Sequence, residues 1–555
     1  MNKNILWFAC AAAALSSCQQ NGATGAHQEG LDSAALSAMT VDSYKTQVTT
    51  LSSDAFMGRK PFTKGDSMAV QYIEEQFKKL GLAPGNGDSY FQEVPMVEIA
   101  SQPKQKTLTF TGDRGKLNVD YLNDYIIGSR RLQEDIDIPS SELVFVGFGI
   151  VAPEYNWNDY ADIDVKGKTV VAMVSDPGHY DKNLFKADTM TYYGRWDYKY
   201  EEAARQGAAG ILLIHQTDAA SYGWDVVRSG WAGAQLDLIA ENNEQQRAAF
   251  EGWLTGETTE KLLQLAGQSS NLLDEAKKPG FKAVPLNLTT SVGIHNQIRR
   301  STSNNVIAKL PGSKRPDEVI IYTAHWDHLG VGDPVDGDSI YNGAIDNAAG
   351  VSALFEMAKA FQAAKVQPER SIVFMALTGE EEGLLGSGYY AQHPIYPLAK
   401  TVADLNMDAF SPMGATRDIS IVGLGQTELE DYVEQSAAKF GRVVKGENNP
   451  SSGGFYRSDH FNFVKVGVPG LFMGAGSDLI ETDSTLIASR KAALDGSYHA
   501  VNDEVNEHWD FEGILQDIRL FFDVGYTLSL ENTFPNFKEK SEFKALGDQR
   551  LGQTK

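Results

Sequence analysis

Three consecutive carboxylates directly after an apolar segment constrain this chain more than any other feature of its sequence. The stretch covers residues 371–387 and reads SIVFMALTGEEEGLLGS. A short apolar run without polar alternation is typical of a strand buried on both faces, as in parallel sheets. Glu380, Glu381 and Glu382 then lie at the edge of an apolar core, where carboxylates lose hydration and repel one another. A group of opposite charge is needed to balance them.

Polar residues follow the other strands of this region in the same way. After residue 300 the pattern alternates strands with helices, which predicts a largely parallel sheet covered by helices on both faces. EVIIYTAH ends at His325, VADLNMD ends at Asp408, and GAIDNAAG places Asp346 before a helix. Ligands bind at the carboxyl ends of such strands, so we expect these groups to meet. Singly, each could cap a helix or shape a turn, but together they favour a divalent metal site, most simply one with two metals.

The composition limits which residue types can ligate a metal and which partners the chain can bind. A length of 555 residues predicts two or three domains. The net charge is -24, from 49 basic and 73 acidic residues, so nucleic acid is not an expected partner whereas cations are. Cys10 and Cys18 are the only cysteines, so a metal site further along the chain must use His, Asp and Glu. Spacing leaves the second nitrogen ligand open between His460 and His499.

The first residues have the pattern of a targeting segment. MNKNILWFACAAAALSSCQQ combines a basic start, an apolar run and a final cysteine box, and it resembles a bacterial lipoprotein signal. We expect a signal peptide at 1–17, a lipid on Cys18 and a tether at 18–40; an ordinary secretory signal is the alternative. This predicts a lipid-anchored protein of the bacterial cell envelope, outside the cytoplasm, on the outer membrane or the periplasmic face. The anchor would be its only contact with a membrane.

The middle of the chain has a different pattern of predicted strands and helices from the rest. TLTFTG, ELVFVGFGIVA and KTVVAMVSD predict short strands, and YEEAARQGAAGILLIH predicts a helix followed by a buried strand. VKGKTVVAMVSDPG and AARQGAAGILLIH resemble the protease-associated domain, a β-rich insert; an unrelated α/β insert is the alternative. An earlier helix over 66–80, capped by Asp66 or Ser67, belongs to the surrounding domain. The predicted boundaries are 41–103 for the first part of that domain, 104–290 for the insert and 291–555 for the second part.

Six segments of the second part resemble a known family. TAHWDHLG, GAIDNAAGVS, TGEEEGLLGS, LNMDA, YRSDHFNFVKVGVP and YHAVNDE are similar, in order over roughly 320–505, to the signature segments of the M28 family of zinc aminopeptidases. The resemblance implies an α/β fold of the zinc-dependent exopeptidase type, with a mixed, largely parallel central sheet flanked by helices. It also implies peptide substrates and two Zn²⁺ ions, although His and carboxylate ligands suit Co²⁺ or Mn²⁺ as well.

The resemblance implies a metal-binding role for five residues. His325 and Asp408 correspond to ligands of one zinc. Glu381 and His499 correspond to ligands of the other, and Asp346 corresponds to the carboxylate that bridges both. The family pattern therefore favours His499 over His460 as the second nitrogen ligand.

Further matches concern catalysis and substrate. Glu380 corresponds to the general base, which would take a proton from a metal-bridging water so that hydroxide attacks the scissile carbonyl. Asp327 corresponds to the residue that orients the histidine ligand two positions before it, and Glu382 is expected to be a solvated spacer. The residues that we assign to substrate binding are Tyr456, His460 and Tyr498.

The resulting prediction is a di-zinc metallo-aminopeptidase that removes N-terminal residues from peptides. One alternative is a glutamate-carboxypeptidase-like metallocarboxypeptidase, which needs arginines near the pocket, and Arg457 is the one arginine that the motifs place there. A cyclase acting on N-terminal glutamine would use a single zinc. A non-catalytic receptor-like binding protein would have lost ligands or the base, which this sequence keeps. Three roles stay open for the insert: shaping the cleft, limiting access to short peptides, or supporting a homodimer.

Overall fold

One long strand organises the structure. In the computed structural model, which describes residues 31–239 and 246–552, this strand is β13, Val284–Leu310. Its first half alternates buried and exposed residues, whereas positions 306–308 are buried throughout. The sequence explains the change, since PLNLTTSVGI alternates apolar and polar residues and VIA does not. The strand therefore runs from a sheet with one buried face into a sheet with two.

The remaining strands lie on both sides of β13 in the chain. Those before it are β1 Ala83–Pro84, β2 Phe91–Pro103, β3 Thr107–Gly112, β4 Gly115–Asp120, β5 Tyr125–Gly128, β6 Asp135–Phe145, β7 Val151–Ala152, β8 Trp157–Asn158, β9 Thr169–Met173, β10 Gly210–Ile214, β11 Ala234–Leu238 and β12 Phe250–Leu254. Those after it are β14 Arg315–His325, β15 Gly330–Val335, β16 Asp338–Tyr341, β17 Arg370–Leu377, β18 Thr401–Asn406, β19 Asp418–Ile421, β20 Val443–Gly446 and β21 Gly470–Ala475.

Helices occur at both ends of the described chain and in its middle. Those before β13 are α1 Ser33–Ala38, α2 Val41–Leu51, α3 Lys64–Lys79, α4 Trp196–Arg205, α5 Thr217–Ala220, α6 Trp224–Ala232, α7 Gly256–Leu265 and α8 Asn271–Ala276. Those after it are α9 Ala349–Ala363, α10 Leu385–Gln392, α11 Leu429–Lys439, α12 His460–Lys465, α13 Ser484–Leu494, α14 Phe511–Leu530 and α15 Lys544–Gly552.

Four parallel strands form the centre of the sheet, in the order β17, β14, β18 and β21. On one side β13 pairs antiparallel with β17, and on the other β19 pairs antiparallel with β21 and parallel with β20. Parallel neighbours need crossover connections, which explains why α9 lies between β14 and β17 and α10 between β17 and β18. All four central strands therefore end at the same edge.

Helices cover both faces of this sheet. On one face α2, α3, α9 and α14 share a core in which Tyr44, Phe77, Phe355 and Phe521 are buried. On the other face α10 and α12 pack against the sheet around β17. The helix α9 is buried almost all round, because α1, α2 and α14 contact it in addition to the sheet. The predicted α/β fold with a mixed, largely parallel sheet is confirmed.

The region 104–290 has its own parallel set, with β6, β9, β10 and β12 as neighbours and β5 antiparallel at the edge. Two hydrophobic clusters fill it, separate from the core under the central sheet. The predicted helix and buried strand of YEEAARQGAAGILLIH are confirmed as α4 and β10. The resemblance of this region to a protease-associated domain, like the domain boundaries, stays a prediction.

Two boundaries differ from the sequence-based expectation. The helix expected over 66–80 starts at Lys64, and Asp66 accepts the Phe62 backbone N–H at 3.1 Å instead of capping. The tether expected over 18–40 is wrong at its end, because α1 forms there and buries Ala35 and Met39. These two apolar residues are spaced four apart, so one helical face can pack them on the core.

The predicted signal peptide, the lipid site at Cys18 and the start of the tether lie outside the described residues. Within the described part of the chain, no helix combines the length and the apolar character that crossing a bilayer requires. The predictions of an anchor and of an envelope location therefore stay predictions.

Candidate metal centre

The ends of three parallel strands bring the predicted residues together. Ala324 of β14 is level with Ala376 of β17, and Thr323 is level with Asn406 of β18. The loops that follow these strands therefore leave the sheet side by side, as expected for the carboxyl edge of a parallel sheet. They carry His325, the Glu380 segment and Asp408 respectively.

Two histidines face one shared carboxylate. His325 Nε2 lies 3.1 Å from Asp346 Oδ1 and 3.2 Å from Asp408 Oδ1. His499 Nε2 lies 3.3 Å from Asp346 Oδ2 and 2.9 Å from Glu381 Oε2. Each oxygen of Asp346 thus faces a different histidine, and each histidine has one further carboxylate of its own. The structure brings all five predicted ligands into one arrangement of two halves.

The donor set fits divalent metal ions. Among the described residues no Lys or Arg pairs with Asp346, Glu381 or Asp408, so the cationic partners of these carboxylates are imidazoles. Ligand atoms of His325, Asp346 and Glu381 lie within 4.8 Å of one another. Mixed imidazole and carboxylate ligands are those that Zn²⁺ prefers, and two dications would neutralise the cluster.

The carboxylates and the histidines change each other's protonation. Burial would raise the pKa of Asp346, but hydrogen bonds from His325 and His499 hold it well below its usual range. Burial would lower the pKa of His499, but Asp346 and Glu381 raise it to about 10. Without metal, the two histidines therefore act as the cations of the site.

The three adjacent glutamates occupy three different environments. Glu380 lies 4.0 Å from His325, and burial raises its pKa well above the usual value. Glu381 is held between two histidines. Glu382, expected to be a solvated spacer, instead forms an ion pair of 3.0 Å with Lys60 and keeps only 14% of its side chain exposed. The three neighbouring positions therefore carry one carboxylate near His325, one between two histidines and one paired with a lysine.

Asp327 supports the site differently from the expectation. The ring nitrogen Nδ1 of His325 contacts the Asp327 backbone carbonyl at 3.1 Å, whereas the carboxylate is 3.8 Å away. The carboxylate instead accepts the backbone N–H groups of Glu380 and Glu381, at 3.1 and 3.3 Å. Burial raises the pKa of Asp327 to about 8. This residue thus orients the histidine through its backbone and the glutamate loop through its side chain.

Arg59 is a supporting residue that the sequence did not reveal. Its fully buried guanidinium donates to the backbone carbonyls of Trp326, Asn342 and Gly343, at 2.8, 2.6 and 2.8 Å. These carbonyls belong to the loops that carry His325 and Asp346. Because Arg59 precedes α3, the N-terminal part of the chain fixes the loops of the metal centre.

Asp503 and Ser458 were also missed as supporting residues. Asp503 accepts the backbone N–H groups of Ile345 and Asp346, at 2.9 and 3.1 Å. Ser458 donates its hydroxyl to Asp408 Oδ2 at 2.5 Å. Both lie inside the quoted segments YHAVNDE and YRSDHFNFVKVGVP, so their location was visible in the sequence but their contacts were not.

His328 completes the surroundings of Glu381. Its Nδ1 lies 2.6 Å from Glu381 Oε1, opposite the oxygen that faces His499. The ring is buried, and its Nε2 has no hydrogen-bond partner among the described residues. The geometry leaves Oε2 of Glu381 for a metal ion, while His328 fixes the other oxygen.

The three residues assigned to substrate binding lie in different places. Tyr498 is 74% exposed and stacks on the His499 ring, with 3.9 Å between centroids. Tyr456 is buried and donates its hydroxyl to Glu542 at 2.7 Å. His460 is fully buried against Phe455, and burial lowers its pKa to about 3. Burial removes Tyr456 and His460 from contact with substrate, so those two assignments are corrected.

A recess opens beside the metal centre. It has a volume of about 350 Å³, and Ile345 and Ala409, the neighbours of Asp346 and Asp408, form part of its wall. Met413 and Leu494 add apolar surface. A side chain attached to a group at the metal centre could enter it.

Residues 305–520 match the family model described as Peptidase family M28. This part of the chain is M28-like. It contains all five predicted ligands and Glu380.

Curated relatives point in the same direction. "Aminopeptidase NAALADL1" of Mus musculus is 26% identical over 248 residues, which cover 39% of this chain and 31% of that protein. A "Probable zinc metalloprotease" of Pyrenophora tritici-repentis is 42% identical over 91 residues, 16% of this chain and 18% of that protein. The chain thus spans less than a third of each relative's length. The predicted enzyme class, a metallo-exopeptidase, agrees with these matches.

A solved structure supports the fold over nearly the whole chain. The "Aminopeptidase from Aneurinibacillus sp. strain AM-1" is 20% identical, with a TM-score of 0.52, and the match covers 89% of this chain and 95% of that one. At this identity the likeness concerns the fold. The fold over this length is therefore similar to that of the solved protein.

Proposed function

We propose that this protein is a di-zinc metallo-aminopeptidase that hydrolyses the N-terminal residue from peptides. The observation that carries the proposal is the shared carboxylate: Asp346 faces His325 with one oxygen and His499 with the other. Two adjacent metal ions require a shared carboxylate with a nitrogen ligand on each side. A purely structural acidic cluster has no such requirement. The match of this region to Peptidase family M28 supports the same conclusion.

Glu380 is the proposed general base. When bound, two divalent ions would polarise the scissile carbonyl and lower the pKa of the attacking water. Glu380 takes a proton from that water and later gives it to the departing amine. Its burial and its raised pKa support a group that can hold a proton between the two steps. Asp327 keeps its backbone in place by accepting the Glu380 N–H.

The negative surroundings favour a free amino terminus. Asp346, Glu380 and Asp408 present carboxylates that pair with no Lys or Arg among the described residues, so an ammonium group gains from nearby charge that an acetylated terminus cannot use. The exposed ring of Tyr498 and the apolar recess beside Ile345 would contact the first residue of the substrate. We therefore propose a preference for an apolar N-terminal residue.

Hydrolysis of matched dipeptides tests the proposal. Free, N-acetylated and C-amidated forms of one dipeptide are compared, each with and without a chelator. An aminopeptidase cleaves the free and amidated forms, leaves the acetylated form intact and stops after chelation. Cleavage of the acetylated but not the amidated form would instead show a carboxypeptidase. Two bound metals per chain without cleavage would direct the next assay to cyclisation of N-terminal glutamine.

A further inference from the structure

Four buried polar side chains form a continuous line of hydrogen bonds behind the predicted ligand Asp408. Ser458 donates its hydroxyl to Asp408 Oδ2 at 2.5 Å, and Asn406 Nδ2 donates to Ser458 Oγ at 2.6 Å. Thr323 Oγ1 then lies 2.9 Å from Asn406 Oδ1 and also 2.9 Å from Asp404 Oδ1. Each of the four side chains is at most 2% exposed, so they must satisfy one another. We call these four residues the Asp408 network.

The sheet brings the members of the Asp408 network together. Thr323 of β14 is level with Asn406 of β18. Asp404 and Asn406 are two positions apart in β18, so their side chains share one face of the sheet. Ser458 reaches Asn406 from the segment before α12. Two neighbouring strands are thereby joined to the ligand that follows one of them.

The number of available hydrogens fixes the direction of each bond in the Asp408 network. An ionised metal ligand can only accept, so the single hydroxyl hydrogen of Ser458 is used on Asp408. Ser458 Oγ then accepts from the Asn406 amide nitrogen, which leaves the amide oxygen facing Thr323. An amide oxygen also only accepts, so the single hydroxyl hydrogen of Thr323 is used on Asn406.

Asp404 must therefore supply a hydrogen of its own. Its Oδ1 lies 2.9 Å from a Thr323 oxygen whose hydrogen is already used, and only a protonated carboxyl group can donate there. Among the described residues Asp404 forms no ion pair, and its Oδ2 has no hydrogen-bond partner. Burial raises the pKa of Asp404 well above the usual value, which agrees with a neutral carboxyl group.

We propose that Thr323, kept in orientation by a protonated Asp404, is a positioning residue for the metal ligand Asp408. It acts through Asn406 and Ser458, which keep Asp408 Oδ2 in a hydrogen bond and leave Oδ1 for a metal ion. An ionised Asp404 would instead take the Thr323 hydrogen. The Asn406 amide would then turn round, and Ser458 would donate to it and not to Asp408. The inference rests on the proposed function, because it takes Asp408 as a metal ligand.

Two substitutions of Thr323 separate its hydrogen bonds from its packing. Thr323→Val nearly keeps the volume and removes the hydroxyl, whereas Thr323→Ser keeps the hydroxyl and removes a methyl group. Zn²⁺ affinity of the full-length protein is measured by titration with a competing chelator. We expect Thr323→Val to bind zinc roughly 10-fold more weakly and Thr323→Ser to bind it like wild type. If the serine variant loses as much affinity as the valine variant, or more, Thr323 acts by packing and the inference is wrong.

A double variant tests the route from Thr323 to the ligand. Ser458→Ala removes the contact with Asp408 itself, so its loss of zinc affinity should be at least as large as that of Thr323→Val. The double variant should lose no more than Ser458→Ala alone, because Thr323 acts through Ser458. Losses that multiply in the double variant would show that Thr323 acts by another route, against the inference.

Asp404→Asn tests the proton directly. The amide keeps the size of the side chain and can donate to Thr323 as the protonated carboxyl group does, so zinc affinity should stay at the wild-type value. Infrared difference spectra at neutral pH should show the loss of a protonated carboxyl group in this variant. The control Asp113→Asn, at an exposed position, should show the loss of a carboxylate. Loss of a carboxylate in both variants would overturn the inference, even if the threonine variants do not fold.

Failure of the inference can be distinguished from failure of the proposed function. Wild-type zinc affinity in Thr323→Val refutes the inference alone, and cleavage of the matched dipeptides would still support an aminopeptidase. If the wild-type protein binds no divalent metal, the proposed function fails and the inference fails with it.

Discussion

In two buried acidic clusters of this molecule, the negative charge is compensated in different ways. At the metal centre, Asp346, Glu381 and Asp408 contact imidazoles and no Lys or Arg among the described residues. In the 104–290 region, Asp159 and Asp176 are buried near the fully buried Lys199. We call this second group the Lys199 cluster. Only the first cluster depends on ions from outside the chain.

The hydrogen bonds of the two clusters show the same contrast. Asp159 accepts from the Ile150 N–H and from the Trp157 indole, at 3.0 and 2.8 Å. Asp176 accepts from the Thr191 N–H at 2.8 Å, and Lys199 donates to a backbone carbonyl at 3.0 Å. The chain thus supplies its own donors and its own cation there. A buried carboxylate indicates function when the fold leaves it without such partners, not simply when it is buried.

The largest expected effect falls on Glu380. Glu380→Gln removes the proton acceptor but keeps the shape of the side chain, so we expect kcat to fall by about 10²- to 10⁴-fold. Metal content, measured by elemental analysis, should stay at the wild-type value because Glu380 is not a proposed ligand. The matched control is Glu382→Gln, which breaks the ion pair with Lys60 and should cost little activity. Near-wild-type turnover of Glu380→Gln would show that another group acts as the base.

The next largest expected effect is a loss of stability after substitution in the Lys199 cluster. Lys199→Met removes the cation that acts on Asp159 and Asp176 and leaves these two buried carboxylates without it, so the free energy of unfolding should fall by about 3–5 kcal/mol. The midpoint of urea unfolding measures this change. Lys166→Met, at an exposed position, is the control. Metal content should not change, and an unaltered midpoint would show that the cluster needs no internal cation.

Substitution of the two candidate histidines distinguishes a role in metal binding from a role in core packing. His499→Ala removes a donor that faces Asp346 and Glu381, so we expect metal per chain to fall from two towards one. His460→Phe keeps a ring of similar shape in a site where neither ring nitrogen has a described partner, so metal should stay bound. Elemental analysis after dialysis distinguishes the two variants. A loss of metal only in the His460 variant would reverse the assignment.

The sequence pointed to His325, Asp346, Asp408 and the three glutamates because their positions follow from local rules, whereas His499 was chosen over His460 only through the family resemblance. His325 and Asp408 come directly after apolar strands of a parallel pattern, and such strands must end at one edge of the sheet. Asp346 precedes an apolar helix. The three glutamates were informative for the same reason. Each position could be inferred from the residues beside it in the chain.

The supporting residues could not be inferred in this way. Arg59 donates to backbone carbonyls more than 260 residues away, and Asp503 accepts backbone N–H groups about 157 residues away. Backbone partners leave no trace in side-chain chemistry, so no pattern pointed to them. The assignment of His460 to substrate binding was wrong because its position in the chain suggested a contact with the site that the fold does not make. His460 lies two residues after Ser458, which contacts the site, but α12 begins there and turns its ring into the core.

The smallest expected effect belongs to Asp503, which acts on the metal centre only through the backbone. Asp503→Asn keeps the size of the side chain but loses one of its two acceptor oxygens and its charge, so the backbone of Ile345 and Asp346 becomes less fixed. Changes behind a ligand typically cost 10- to 100-fold in metal affinity, and we expect roughly 10-fold because the shape is kept. Titration with a competing chelator measures it, with the exposed Glu507→Gln as the control. At saturating metal kcat should recover, since Glu380 and all five ligands remain. A kcat that stays low at full metal loading would show that Asp503 sets the orientation of Asp346 towards the reaction itself and not only its affinity for metal.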